Sequence, residues 1–155
     1  MYTPQRGNCL IKQKNENWSK IRCLCKLTKK MQNGRFMIAV CALVERKSCF
    51  LACRRPHGTK FPGCLELPTG VLEDDETLED CLERTCFETL SRLPKRYKLV
   101  KVFDSPDDPN CRMFVYRTDL CNNFITLERY FSFKWLKNNK IPKIRITRSC
   151  VTAIK

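Results

Sequence analysis

Apolar residues are distributed along the chain in short runs that match β-strands more often than helices. Residues 21–27 place an apolar side chain at every second position, which predicts a half-buried strand. Phe36 to Val44 is almost continuously apolar, as in a strand buried on both faces. A polar turn then leads into a further predicted strand, Ser48 to Arg54. The first third of the chain therefore predicts β-structure.

One helix is predicted in the middle of the chain, from about Asp75 or Glu76 to Ser91. Acidic residues crowd its first turn, which suits the positive end of the helix dipole, and Pro94 follows its end. An apolar residue recurs at every fourth position and forms the stripe expected to be buried, which consists of Leu78, Leu82, Cys86 and Leu90. We also expect Phe87 to turn into the core.

The remaining elements are again strand-like. Residues Tyr97 to Phe103 and Cys111 to Tyr116 predict two strands separated by a turn rich in Asp and Pro. Residues 143–148 alternate between basic and apolar or Thr side chains, which predicts a basic edge strand or tail. Strands before and after a single helix indicate the α/β (α+β) class.

Composition narrows the class of protein. At 155 residues the chain is long enough for one domain with a real core. It has no run of about 18 apolar residues, so no membrane partner is expected. Twelve cysteines are scattered through apolar runs, without the C-x2-C spacing of zinc sites and with a single histidine, His57. Buried, reduced thiols in the cytoplasm or nucleus are the favoured interpretation.

Charge is unevenly distributed. The net charge is +14, yet residues 66–88 hold nine of the 16 acids and only one of the 30 bases, Arg84. One acidic segment thus interrupts a basic chain. A basic surplus favours an anionic partner such as a nucleotide, RNA or another polyphosphate, although lysines that only solubilise the surface would give the same surplus.

The acidic segment also contains a spaced motif between Gly70 and Arg92. Its fixed positions are Gly70, Glu76, Arg84 and Glu88. They resemble the signature of the Nudix box, G-x5-E-x7-R-E-U-x-E-E-x-G-U, where U is a bulky aliphatic residue. The preceding L-E-L-P-T-G, residues 65–70, is similar to the family's E-L-P-G-G, and residues 47–55 resemble the family's strand that ends in arginine. The resemblance covers roughly residues 35 to 137.

The resemblance implies a Nudix-like α/β/α sandwich with a mixed sheet. It places the Nudix-like domain at residues 31–140, between a basic N-terminal extension with one strand (1–30) and a basic C-terminal tail or edge strand (141–155). Arg84 and Glu76 would brace the loop against the helix, with Gly70 at the start of the box. Arg54 and Arg55 would precede the substrate loop and are expected to bind the ligand.

The resemblance also implies a metal site. In the family, glutamates on one helical face bind Mg²⁺ or Mn²⁺ together with a backbone carbonyl, here that of Thr69. Thr85, Glu88 and Thr89 stand at the three carboxylate positions and are expected to border a cleft near Thr69 and Gly70. A hydroxyl is a weak ligand for a hard dication, so two of the three carboxylates are lost.

Two functions remain open. The first is a Nudix-fold protein with an eroded box, weakly active or inactive, that binds a nucleotide, RNA or polyphosphate, alone or with a protein partner, and without a cofactor. The second is an active Mg- or Mn-dependent hydrolase of nucleoside-diphosphate-linked compounds, including capped RNA. Its relocated metal ligands would be Glu88, Glu76 and a later acid, Asp119 or Glu128.

Overall fold

The computed structural model describes residues 37–121, 124–141 and 145–155. These residues form seven strands and two helices. In chain order the elements are β1 (Met37–Arg46), β2 (Cys49–Arg54), β3 (Leu65–Glu66), β4 (Thr69–Val71), α1 (Leu78–Leu90), β5 (Pro94–Asp104), β6 (Cys111–Leu120), β7 (Ser132–Lys137) and α2 (Arg148–Ile154).

The strands form one mixed sheet. Its order is β3-β2-β1-β6-β5, with β4 also paired to β1 and β7 also paired to β2. The β1–β6 pair is parallel and the other strand pairs are antiparallel. The central position of β1 explains its continuous apolar run, since residues 39–44 are buried on both faces of the sheet.

Alternate side chains of β1 contribute to two separate cores. Val40, Ala42 and Val44 pack in the cluster that contains the apolar stripe of α1. Ala39, Cys41 and Leu43 pack in the cluster that contains residues of α2. The two helices therefore cover opposite faces of the sheet, and the predicted α/β/α arrangement with a mixed sheet is confirmed.

Helix α1 begins two or three residues later than predicted. Thr77 is its N-cap: the Thr77 side chain accepts from the Asp80 backbone N–H, and the Asp80 side chain accepts from the Thr77 backbone N–H. The helix ends at Leu90, and its C-cap Ser91 has φ 53° and donates its backbone N–H to the Phe87 carbonyl. The predicted stripe of Leu78, Leu82, Cys86 and Leu90 is buried. The expectation for Phe87 is wrong: it is 58% exposed, because smaller residues fill the inner face around the stripe.

Several elements differ from the sequence-based expectations. The short strands β3 and β4 lie in a segment for which no strand is predicted, β5 already begins at Pro94, and β6 continues to Leu120. The C-terminal segment contains one parallel bridge, Leu65 with Ile146, and then helix α2 rather than an edge strand. The strand predicted at residues 21–27 lies outside the described residues. Within the described ranges, no helix is long and apolar enough to cross a membrane.

Candidate functional site

Strand β4 and helix α1 approach each other very closely at Gly70. Gly70 pairs with Val40 in the sheet and lies directly against Thr85 on the helix. A Cβ atom on Gly70 would lie 2.0 Å from Thr85 Oγ1 and 3.3 Å from Thr85 Cβ. A glycine is therefore required here for contact with the helix, not for an unusual backbone angle.

Arg84 holds the loop between β4 and α1 against the helix. Its Nε and Nη2 atoms lie 2.7 and 2.8 Å from the two carboxylate oxygens of Glu76, and Nη2 also donates to the Val71 carbonyl at 2.8 Å. The Glu73 backbone N–H donates to Glu76 as well, at 3.0 Å. The hydrogen bond from Arg84 is the main reason that the pKa of Glu76 lies below its ordinary value. The structure thus brings Glu76 and Arg84 together between the loop and the helix.

Glu88 lies between two guanidinium groups. Its Oε2 atom is 2.7 Å from Arg129 Nη2 and 3.5 Å from Arg84 Nη1, and the Glu88 side chain is 35% exposed. Arg129 belongs to the segment between β6 and β7 and to no motif in the sequence. Sequence reasoning missed it, because its partner lies 41 residues earlier and only the fold brings the two together.

Thr85 and Thr89 are both fully buried, at 0% exposure. Thr85 Oγ1 lies 4.0 Å from Cys81 Sγ, and Thr89 Oγ1 has no hydrogen-bond partner within the described residues. The expectation that both threonines border a cleft is therefore wrong. They lie on the inner face of α1, and of the three carboxylate positions only Glu88 is partly accessible to solvent.

A second polar cluster forms around Glu66 on β3. Glu66 Oε2 is 2.6 Å from Arg55 Nη1, and Glu66 Oε1 accepts from the Tyr130 hydroxyl at 2.7 Å. Burial, and then the charge and hydrogen bond of Glu66, raise the pKa of Tyr130 well above its ordinary value. Arg54 donates to the Gly63 carbonyl at 2.7 Å. The two arginines expected to bind the ligand thus hold the segment after β2, Arg54 at Gly63 of the loop and Arg55 at Glu66 on β3.

The acids named as relocated ligands do not come together. Glu76 is held by Arg84, Glu128 accepts from Ser91 Oγ at 3.1 Å, and Asp119 pairs with Arg96 at 3.3 Å. In the part of the chain that the structure describes, no three His, Cys, Asp or Glu residues are grouped as a metal ion requires. The backbone of Thr69 lies in β4, paired with Cys41 of β1.

The site is thus a loop, a glycine-to-helix contact and a helix carrying Arg84 and Glu88, arranged against a mixed sheet. A family model described as NUDIX domain matches residues 35–146. The chain belongs to the Nudix family. This match extends a few residues beyond the region of resemblance.

Individual relatives agree with this assignment. An ADP-ribose pyrophosphatase of Methanocaldococcus jannaschii is 36% identical over 73 residues, which are 46% of this chain and 43% of that protein. The aligned region therefore spans less than half of the relative's length.

Among solved structures, a MutT NUDIX hydrolase from Burkholderia pseudomallei has a TM-score of 0.68 at 22% identity, covering 76% of this chain and 95% of that one. The NUDIX domain of Shewanella oneidensis NrtR, solved with ADP ribose, has a TM-score of 0.65 at 16% identity, covering 86% of this chain and 92% of that one. At these identities the structural likeness concerns the fold.

Proposed function

We propose that the protein binds a nucleoside-diphosphate-linked compound at the box and hydrolyses it weakly or not at all. The observation that carries this proposal is the environment of Glu88. Its carboxylate is paired with Arg129 at 2.7 Å and Arg84 at 3.5 Å, and the two flanking carboxylate positions are buried threonines.

The side chains at these positions do not fit Mg²⁺ or Mn²⁺. A hard dication needs several oxygen ligands, and Mg²⁺ gives up its water reluctantly. Glu88 offers one carboxylate, whose Oε2 forms ion pairs with Arg129 and Arg84 but accepts no hydrogen bond within the described residues. A metal ion bound to this oxygen would lie next to a guanidinium or would have to displace it. Thr89 contributes a buried hydroxyl, which has no hydrogen-bond partner among the described residues and is a weak ligand. The Thr69 carbonyl is the one family ligand that does not depend on a side chain.

The ligand class follows from the relatives and from the charge. The relative in Methanocaldococcus jannaschii is an ADP-ribose pyrophosphatase, and the Shewanella domain was solved with ADP ribose. Both names point to a diphosphate that joins a nucleoside to another group. The net charge of +14, concentrated outside residues 66–88, favours the same class of anion.

The nine described cysteines are free thiols, which supports a cytoplasmic or nuclear location.

Turnover measurements test the loss of hydrolysis. ADP-ribose and a panel of nucleoside diphosphate compounds are incubated with the protein and Mg²⁺ or Mn²⁺. We expect rates little above background, since removing catalytic groups of this kind costs about 10²–10⁴-fold each. At saturating substrate, the matched variant Glu88→Gln should leave these background rates unchanged. Robust metal-dependent turnover that Glu88→Gln abolishes would instead establish the active hydrolase with relocated ligands.

Single-stranded RNA is a second candidate ligand, favoured by the basic surplus outside the acidic segment. RNA binding through these basic residues should weaken steeply with salt: the logarithm of the binding constant should fall against the logarithm of the salt concentration with a slope of about −0.7 per contacted phosphate. If RNA does not bind at low salt, or binds with an affinity that does not depend on salt, the basic residues only keep the protein soluble.

A further inference from the structure

Residues 124–131, called here the crossing loop, span from the end of α1 to the end of β2. The Thr126 backbone N–H donates to the Leu90 carbonyl at 3.3 Å, and Glu128 accepts from Ser91 Oγ. Arg129 then meets Glu88, and Tyr130 meets Glu66. Consecutive residues of one loop thus contact the surviving box carboxylate and the polar cluster on β3.

Arg84 and Arg129 differ in how many contacts their guanidinium groups make with the protein. Arg84 directs its Nε and Nη2 to Glu76 and Val71, and its Nη1 lies near Glu73 and Glu88. Within the described ranges, Glu88 is the one carboxylate that Arg129 pairs with, through Nη2. The Arg129 side chain is 52% exposed, so part of it is accessible to a ligand.

From this geometry we infer that Arg129, positioned by Glu88, replaces the metal ion of the box and binds the diphosphate of the nucleotide ligand directly. The inference rests on the proposed function and names the group that contacts the ligand. A guanidinium presents paired N–H donors that match phosphate oxygens and stays charged at every physiological pH. Glu88 then serves as a positioning residue for Arg129 rather than as a metal ligand.

The local charge is consistent with binding an anion without a metal. Compared with a box of three carboxylates, Thr85 and Thr89 remove two negative charges, and Arg129 adds one positive charge. The described ion pairs join Glu66 to Arg55, join Glu73, Glu76 and Glu88 to Arg84, and join Glu88 to Arg129, while Glu128 stands beside Arg129 in the crossing loop. Carboxylates paired with guanidiniums repel a diphosphate less than a bare carboxylate cluster does.

Calorimetric titration of the full chain tests this inference, with ADP-ribose, ADP and inorganic pyrophosphate as probes, in EDTA and again in Mg²⁺. We expect binding in EDTA. Arg129→Gln should weaken it about tenfold or more, because a charge-assisted hydrogen bond is lost. Arg129→Lys should fall between the two, since it keeps the charge and loses the fork. Glu88→Gln should also weaken binding by leaving Arg129 without its positioning partner.

Arg96→Gln is the matched control, because Arg96 is an exposed arginine paired with an exposed acid, Asp119, at 3.3 Å. It should change affinity less than twofold. Binding in EDTA that Arg129→Gln weakens no more than Arg96→Gln does would overturn the inference and leave the proposed binding function intact. Binding that requires Mg²⁺ would overturn the inference, and an absence of binding with or without Mg²⁺ would overturn both. Unchanged thermal midpoints of the variants exclude misfolding as the cause of a lost affinity.

Discussion

Gly70→Ala tests the closest contact of the box, between strand β4 and helix α1. The added methyl group would lie 2.0 Å from Thr85 Oγ1, where ordinary contact begins at about 3.4 Å. Thr85 is fully buried, so the strand and helix must separate or Thr85 must change rotamer. Overpacking of this kind costs about 1–3 kcal/mol, offset by about 0.4–1 kcal/mol because alanine restricts the unfolded chain. We expect a net loss of about 1–2 kcal/mol in the free energy of unfolding.

A double-mutant cycle shows whether the cost comes from Thr85. Thr85→Ala removes Oγ1 and leaves its Cβ 3.3 Å from the new methyl, a tight distance that small shifts relieve. Gly70→Ala should therefore cost much less in the Thr85→Ala background, with a coupling of about 1 kcal/mol or more. Thr85→Val is the matched control, since it places a methyl group where the hydroxyl was and gives no relief.

Urea-induced unfolding followed by circular dichroism measures all four proteins of the cycle. Val71→Ala, on the same strand but at an exposed side chain, should change the free energy of unfolding by less than about 0.5 kcal/mol. Additive effects of Gly70→Ala and Thr85→Ala, or equal coupling with Thr85→Val, would refute the contact argument.

Three further predictions concern single groups of the site and core. The pKa of Glu76 is lowered in the folded state, so its contribution to stability is present above the ordinary value of 4.5 and is lost as pH falls through the folded pKa. Glu76→Gln should therefore lower the free energy of unfolding by about 2 kcal/mol at pH 7 and by progressively less below about pH 4.5; an equal loss at pH 3 would contradict this. Thr89→Val, which removes a buried hydroxyl without a partner, should be neutral or stabilising by up to about 1 kcal/mol in urea unfolding, and a clear loss would show that the hydroxyl is bonded. Burial raises the pKa of Cys53 and Cys86 to about 12, so peptide mass spectrometry at pH 8 should find them unalkylated in the native protein while exposed Cys121 reacts; early labelling of the first two would argue against the buried core.

The sequence predicts the helix and the central strands well because their signals are local. Four apolar residues at helical spacing identify the buried face of α1, and a continuous apolar run identifies β1 as a central strand. The motif also indicates which residues of the loop and helix meet, since the partners of Gly70 and Arg84 lie nearby in the sequence. Arg84 and Glu76, for example, are only eight residues apart and form an ion pair at 2.7 Å.

Features that depend on distant residues could not be predicted in this way. Strands β3 and β4 are two and three residues long, too short for an alternation to show. Helix α2 follows a basic, alternating segment whose pattern favours a strand, and its buried residues, such as Cys150 and Ala153, pack on the sheet only once the fold is formed. Thr85 and Thr89 occupy the inner face of the helix, and Phe87 is exposed. The hydrophobic pattern predicts the opposite, because it places apolar side chains on the inner face in preference to threonines.

Arg129 is another residue that the sequence did not predict, and it contacts Glu88 of the candidate site. A half-buried carboxylate without a partner is unfavourable, so under the proposed function Glu88, which is flanked by Thr85 and Thr89, requires a cation other than a metal ion. The crossing loop supplies that cation at 2.7 Å, and the next residue, Tyr130, anchors the same loop to Glu66. Glu88 therefore has a structural reason to be a glutamate that does not involve a metal. If Glu88 is a positioning residue, its loss should loosen the crossing loop and weaken ligand binding together, whereas a metal ligand would affect only metal-dependent steps.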